Sequence, residues 1–255
     1  MEKVIVTGGE GFVGTAIVSE LRKYGVEVTV IDRKSGGDAA RDVPELLEHE
    51  RYDAVFHLAA QTSVWNTDYD AILYDNVETF IIVCKACRKH FTRLIYASSS
   101  TANPHNTTSF YGMSKRMNEE IAQHYYPTAT GVRLHNVYGK SQREGTLLWY
   151  LQVSKAVTLY NNGNNTRCFT YIDDAVKGLL WAYTQRSTLV NVAAPYSVTV
   201  KEFADEVRKY RPCLIICPTQ QKKELDNNDQ EVDTNLPTAP IDYKTIAEGI
   251  RMVFE

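Results

Sequence analysis

The chain lacks the features that would place it in a membrane, a secretory pathway or on nucleic acid. Its longest wholly apolar stretches, such as Phe80–Cys84, fall far short of the ~20 residues that a bilayer span needs. Charge of one sign is missing as well. Lys plus Arg number 28 and Asp plus Glu 31, a formal charge of −3. That balance provides no basic field for nucleic acid or an anionic membrane. The five cysteines are odd in number and irregularly spaced. They read as reduced thiols in a cytoplasmic protein and not as a disulfide framework. Met1-Glu2-Lys3 leads straight into Val4-Ile5-Val6 with no leader-like segment, which fits the same location. Cys84 and Cys87 form a C-x-x-C inside a helical pattern, with no second pair at ligand spacing, so no metal site is expected.

What is present is an alternation of strands and helices in the first half. Lys3–Thr7, Val28–Asp32, Ala54–Ala60, Leu94–Ser98 and Val132–Leu134 are strand-like, and the middle runs are apolar throughout. Such runs suit strands buried on both faces. Helical spacing of Val13, Ala16, Ile17 and Leu21, and patterns near Pro44–Glu50 and Tyr69–His90, separate them. The expected fold is α/β: a Rossmann-type, doubly wound parallel sheet. Between Asp32 and Asp53 a helix fits but a full extra strand does not, so that sheet edge should be truncated. We expect a dinucleotide-binding domain over 1–140. A small, abbreviated substrate lobe should follow over 141–255, with a helix near 174–184 packing back on the first domain. Pro218–Asp233 is acidic and poor in aliphatics and reads as a mobile surface loop.

Gly9-Glu10-Gly11-Phe12-Val13-Gly14 fits G-x-G-x-x-G between a strand and a helix, the context that gives this pattern meaning. Glycines let the backbone approach a pyrophosphate, and the helix N-terminus offers free N–H groups. Asp32 ends the second strand, placed to accept from a ribose 2′-hydroxyl and to repel a 2′-phosphate. NAD is therefore favoured, with Arg33 and Lys34 leaving NADP open. Tyr111 and Lys115 stand at i and i+4 on one helix face. An ammonium beside a phenol lowers its pKa from ~10 and makes it a usable general base. Ser98-Ser99-Ser100 ends a buried strand, at the edge where ligands bind in such sheets.

These residues together resemble the extended short-chain dehydrogenase/reductase family, the NAD-dependent nucleotide-sugar epimerases and dehydratases. The likeness runs through Thr7–Gly14, His57-Leu58-Ala59-Ala60, Asn76-Val77, Ser98–Ser100, Tyr111–Lys115, Asn136–Gly139 and Arg167–Asp174. It implies that Gly8, Gly11, Phe12, Val13, Gly14, Asp32, Arg33, Leu58, Ala59, Ala60 and Ser98 line the cofactor, with Asn76 approaching from the next helix. Asp38, beside Ala39, looks like the acid near adenine, with Asp42 as the alternative. Ser100, Tyr111 and Lys115 match the catalytic set. Asn136 and Arg167 look like grips on the diphosphate of a nucleotide sugar. Thr101-Ala102 stands where the family's dehydratases carry an acid pair, which disfavours dehydration. A 4-epimerase of the UDP-glucose type is the first expectation, and an NAD(P)H-dependent reductase of 4-keto-6-deoxysugars the second. A non-catalytic dinucleotide-binding regulator is the reading from another class. Met113, Met117, Ile121 and Tyr125 form an apolar row beside the catalytic pair. The Tyr69–His90 segment carries Ile72, Leu73, Val77, Phe80, Ile81 and Val83, more than one stripe needs. A homodimer through a four-helix bundle is the expected explanation.

Overall fold

Apolar runs without alternation have to be covered on both faces, and the chain covers them with helices. The structure, a computed structural model, describes all residues except Glu224 and 226–228. In chain order the first half holds β1 (Lys3–Thr7), α1 (Phe12–Lys23), β2 (Glu27–Ile31), α2 (Ala39–His49) and β3 (Ala54–His57). It continues with α3 (Tyr69–Ile72), α4 (Thr79–Lys89), β4 (Arg93–Ser99), α5 (Phe110–Tyr125) and β5 (Thr130–Leu134). The second half holds β6 (Val137–Tyr138), α6 (Leu147–Val153), β7 (Ala156–Leu159), β8 (Thr166–Arg167) and β9 (Thr170–Tyr171). Then follow α7 (Ile172–Thr184), β10 (Leu189–Val192), β11 (Val198–Thr199), α8 (Val200–Arg208), β12 (Ile215–Pro218) and α9 (Ile246–Phe254).

The central sheet has six parallel strands in the order β10-β5-β4-β3-β1-β2. This is a Rossmann-like α/β fold. Strand β2 is an edge, and the chain passes from it through α2 directly to β3, so the truncated edge is real. One face of the sheet packs Val43, Leu47, Phe80, Val83 and Leu94 with helices α2, α4 and α5. The other packs Val4, Val6, Ile17, Leu21, Val176 and Leu179 with α1 and α7. Strand β10 was not foreseen. It pairs with β5, so the chain after residue 140 adds both α7 and a strand to the central sheet and its cover. A third core, with Tyr138, Phe169, Phe203 and Ile250, fills the smaller lobe. Among the described residues no helix is long and apolar enough to cross a membrane.

Between α3 and α4 the helix widens into a π-turn over Leu73–Glu78. Such turns are frequent at functional sites, and this one carries the buried Asp75 and Asn76. Of the six residues counted as surplus on this segment, Ile72, Val77, Phe80 and Val83 are buried in the protein's own core. Leu73, Met113, Met117 and Tyr125 remain exposed, and Ile81, Ile121 and Tyr125 line a shallow apolar groove with Lys85 and His124. Cys84 and Cys87 are buried side by side in the core of α4, and burial pushes both thiols up.

The described ends of the 218–233 stretch carry more contacts than its composition suggests. Part of it, Glu224 and 226–228, lies outside the described residues. Strand β12 overlaps its start at Pro218 and pairs with β7. Asp229–Asp233 is tied down by hydrogen bonds to several separate elements. Polar backbone and carboxylate contacts anchor it, and a count of aliphatic residues cannot register these.

Candidate active site

The carboxyl ends of β1, β3, β4 and β5 open onto one large cleft of about 1750 Å³, which also reaches into the smaller lobe. That exceeds the ~300–1,000 Å³ of ordinary small-molecule pockets, and suits a dinucleotide and a second large ligand together.

The glycine turn forms one end. The Gly11 N–H donates to the Gly8 carbonyl at 3.0 Å. A Cβ on Gly14 would lie 2.0 Å from that same carbonyl oxygen, so only glycine lets α1 start this close to β1. Gly11 caps α1 without any side-chain acceptor. The first N–H groups of the helix thus stay available to an anion. Asp32 Oδ2 accepts from the Glu10 N–H and Oδ1 from the Lys34 N–H, both at 3.0 Å, which seats the carboxylate beside the turn. Arg33 pairs with Asp75 through both terminal nitrogens, one contact at 2.8 Å. Lys34 Nζ donates to the Glu10 carbonyl at 2.9 Å. Asp38 caps α2, accepting from the Ala40 and Arg41 N–H groups at 2.9 and 3.0 Å, and lines the cleft beside Ala39. Asp42 does not line the cleft; it is held by Arg41 and the Asp38 N–H. Together, the cradle at Gly8–Gly14 and the carboxylate at Asp32 fit a dinucleotide such as NAD.

Phe12, Val13, Leu58, Ala59, Ala60, Ser98, Asn136 and Arg167 also line the cleft. Asn76 does not. It is 1% exposed and sits behind the wall, donating to the Gln61 carbonyl at 3.0 Å and Ser114 Oγ at 2.9 Å and accepting from the Gln61 N–H at 2.8 Å. Its neighbour Asp75 reaches the cleft and accepts from Gln61 Nε2 at 2.7 Å. His57 is buried, paired with Thr7 Oγ1 at 2.8 Å through Nδ1.

The chemical end is set by how closely α5 packs on the turn after β4. Ser109 caps α5, accepting from the Gly112 N–H at 3.2 Å. A Cβ on Gly112 would stand 2.7 Å from the Thr101 carbonyl oxygen, so glycine after Tyr111 permits the approach. The side chain that then meets the Tyr111 phenol is Ser99, the last residue of β4. Ser100 begins the following 3₁₀ turn, and its Oγ donates instead to Gln230 Oε1 at 3.1 Å. Ser99 at the strand's end is the serine that bonds the phenol here, and the turn carries the expected Ser100 toward Gln230.

Burial pushes the Tyr111 phenol up, while the Ser99 hydrogen bond and the nearby Arg143 guanidinium pull it back. Arg143 crosses the cleft and donates to Thr62 Oγ1. The groups that pull on the phenol are Ser99 and Arg143, and the expected partner Lys115 is engaged at the Ala97 carbonyl. Lys115 Nζ is buried, donates to the Ala97 carbonyl at 3.0 Å, and is lowered to about 8 by desolvation. Ser99, Asp75, Gln61, Arg143 and Gln230 escaped the sequence reading. Ser99 had a usable signal, because ligands bind where strands end. Asp75 sits on the π-turn, and Gln61, Arg143 and Gln230 on loops whose reach no spacing discloses.

A profile of the family described as "NAD dependent epimerase/dehydratase family" matches residues 4–193. The UDP-N-acetyl-alpha-D-glucosaminuronate decarboxylase of Bacillus cytotoxicus is 25% identical over 256 residues, covering 82% of this chain and 80% of its own. The UDP-glucuronate 4-epimerase 3 of Arabidopsis thaliana is 29% identical over 233 residues, 70% of this chain but only 54% of that longer protein. A solved structure, MoeE5 in complex with UDP-glucuronic acid and NAD, superposes with a TM-score of 0.84 at 23% identity, covering 99% of this chain and 97% of that one. At that identity the superposition speaks for the fold. With the profile spanning most of the sequence, the chain belongs to the NAD dependent epimerase/dehydratase family.

Proposed function

We propose that the protein is an NAD-dependent 4-epimerase of a nucleotide-linked hexose. The observation that carries this reading is the convergence of Tyr111, Ser99 and Lys115 at the carboxyl end of β4, in the same cleft as the Gly8–Gly14 cradle. Nucleotide sugars occur in the names of both relatives, and NAD with one of them in the superposed structure. NAD, when bound, supplies a reversible hydride acceptor. The chain's own residues handle the proton. Tyr111 Oη takes it from the sugar 4-hydroxyl, Ser99 Oγ orients that hydroxyl, and Arg143 stabilises the phenolate. Lys115 Nζ fixes the tyrosine's surroundings from the Ala97 carbonyl. Arg167, buried at the lobe side of the cleft, grips the diphosphate. The ion pair between Arg33 and Asp75 removes one cation from competition for a 2′-phosphate, which supports NAD over NADP. Thr101-Ala102 offers no acid at the serine turn, which argues against dehydration. The exposed row Met113, Met117 and Tyr125 supports a homodimer through α4 and α5.

Incubation with UDP-, dTDP- and GDP-hexoses, read by NMR without added reductant, tests the reading. One of them should epimerise, and Tyr111→Phe should slow that by ~10²–10⁴ with NAD binding retained. Stoichiometric oxidation of NADH or NADPH would instead identify a reductase, and near-normal turnover of Tyr111→Phe would remove the assigned base.

A further inference from the structure

Asp229–Asp233 runs across the serine end of the cleft as a strap fixed by four parts of the molecule. The Thr166 N–H and Oγ1 donate to Asp229 Oδ1 at 3.1 and 2.5 Å, and the Gln230 N–H donates to the Thr166 carbonyl at 3.2 Å. Asn106 exchanges two hydrogen bonds with Glu231: Nδ2 to its carbonyl at 2.8 Å and its N–H to Oδ1 at 3.0 Å. The Asp233 carboxylate accepts from the buried Arg133 Nη1 at 3.2 Å, and its carbonyl from Asn191 Nδ2 at 2.9 Å.

The strap turns one side chain into the cleft. Gln230 Oε1 accepts from Ser100 Oγ at 3.1 Å and from Asn136 Nδ2 at 2.7 Å. An amide oxygen has two acceptor sites, so this one is full. The Gln230 Nε2 donors meet no acceptor among the described residues, and Gln230 lines the same cleft as Ser99 and Tyr111. A carboxamide locked by its oxygen presents its N–H pair to whatever occupies that space, and an oxygen acceptor satisfies it where a C–H group cannot.

We propose that Gln230 is a substrate-reading residue: its Nε2 donates to an oxygen on the sugar ring of the nucleotide hexose, with Ser100 and Asn136 acting as positioning residues. The inference rests on the nucleotide-sugar reading above. It moves Asn136 from the diphosphate to the sugar end of the site.

Calorimetry on NAD-saturated protein with UDP-glucose and UDP, and with dTDP-glucose and dTDP, tests it. Gln230→Ala should weaken the bound nucleotide sugar by about 3- to 10-fold, the range for one lost neutral hydrogen bond. Binding of the matching nucleoside diphosphate should change less than about twofold. Gln230→Glu has the same shape but replaces the donor pair with a carboxylate, and should weaken the sugar nucleotide at least as much. Equal loss for sugar nucleotide and diphosphate, or no loss in either variant, overturns the role of Gln230 alone. A wild-type protein that binds neither sugar nucleotide overturns the nucleotide-sugar reading, and this inference with it.

Discussion

Removing the Glu119 carboxylate should destabilise the fold by leaving a buried guanidinium without its main partner. Glu119 lies on α5 and Arg133 on β5, with side chains 9% and 6% exposed. Glu119 Oε1 accepts from Arg133 Nε at 2.9 Å and Ser98 Oγ at 2.5 Å, and Oε2 accepts from Arg133 Nη2 at 2.8 Å. In Glu119→Ala the guanidinium stays buried while three charge-assisted hydrogen bonds vanish. Stranding one partner of a buried pair costs ~3–5 kcal/mol. Arg133 keeps Asp233 at 3.2 Å, a quarter-exposed partner, so the lower end applies. For a protein of this size ~1 kcal/mol lowers the melting midpoint by ~2–4 °C, and the variant should lose about 6–12 °C. Glu119→Gln preserves shape and one acceptor and should fall between. Replacing both partners, Glu119→Leu with Arg133→Met, should recover most of the loss, because the penalty belongs to the unpaired charge. Urea melts with unchanged m-values supply the free energies. A loss below ~1 kcal/mol in Glu119→Ala, or a double variant as unstable as the sum of the singles, would refute this reasoning.

Ser99→Ala should lower turnover by ~10²-fold or more and Ser100→Ala by less than ~10-fold; the reverse ranking, read by steady-state kinetics, would restore Ser100 as the hydroxyl beside the base. Calorimetry should show tighter NAD than NADP binding, and Asp32→Ala should narrow the gap; equal affinities in the wild type would show the carboxylate to be ineffective. Burial holds His57 at about 3 and His135 at about 4, against ~6.5 when free. Their folded values are depressed, so this contribution is complete above pH 6.5. Between there and about pH 4 the unfolded chain takes up protons that the folded one refuses, and stability falls by about 1.4 kcal/mol per pH unit for each histidine. Urea melts from pH 7 to 4.5 check this, and a slope unchanged in His57→Asn and His135→Asn would exclude these groups. Light scattering should report a dimer, and charged replacements at Met113 and Met117 a monomer; a monomeric wild type would end the four-helix-bundle proposal.

The parallel sheet was legible because its strands bury both faces and so write continuous apolar runs, as in Ala54–Phe56 and Leu94–Ile95. Strand β10 was not, because Leu189-Val190-Asn191-Val192 carries a buried asparagine in mid-strand, and nothing local says that its N–H donates to the Pro237 carbonyl while its side chain donates to Asp233. The glycine turn was legible for a steric reason: Gly14 and Gly112 are glycines because backbone from elsewhere occupies the place of a Cβ. Asn76 was misplaced because its amide serves the fold, bridging Gln61 and Ser114 inside a π-turn that spacing does not announce.

The strap shows why the substrate end resists sequence reading more than the cofactor end. A pyrophosphate is met by backbone, so its site is written as glycines at fixed spacing. A sugar is met by individual side chains, and Gln230 reaches Ser100 across 130 positions of sequence. What holds it there is a set of polar contacts, Thr166 to Asp229, Asn106 to Glu231 and Arg133 to Asp233, each weak alone and cooperative together. Apolar counting marks such a segment as loose, although the Gln230 and Glu231 N–H groups and the Glu231 and Asp233 carbonyls are paired. The ion pair that anchors it at Asp233 is the one that Glu119 completes. Core stability on α5 and placement of the substrate-reading amide therefore share one guanidinium. A change at Glu119 should accordingly weaken sugar-nucleotide binding as well as the fold, whereas truncation of Gln230 should leave the fold intact.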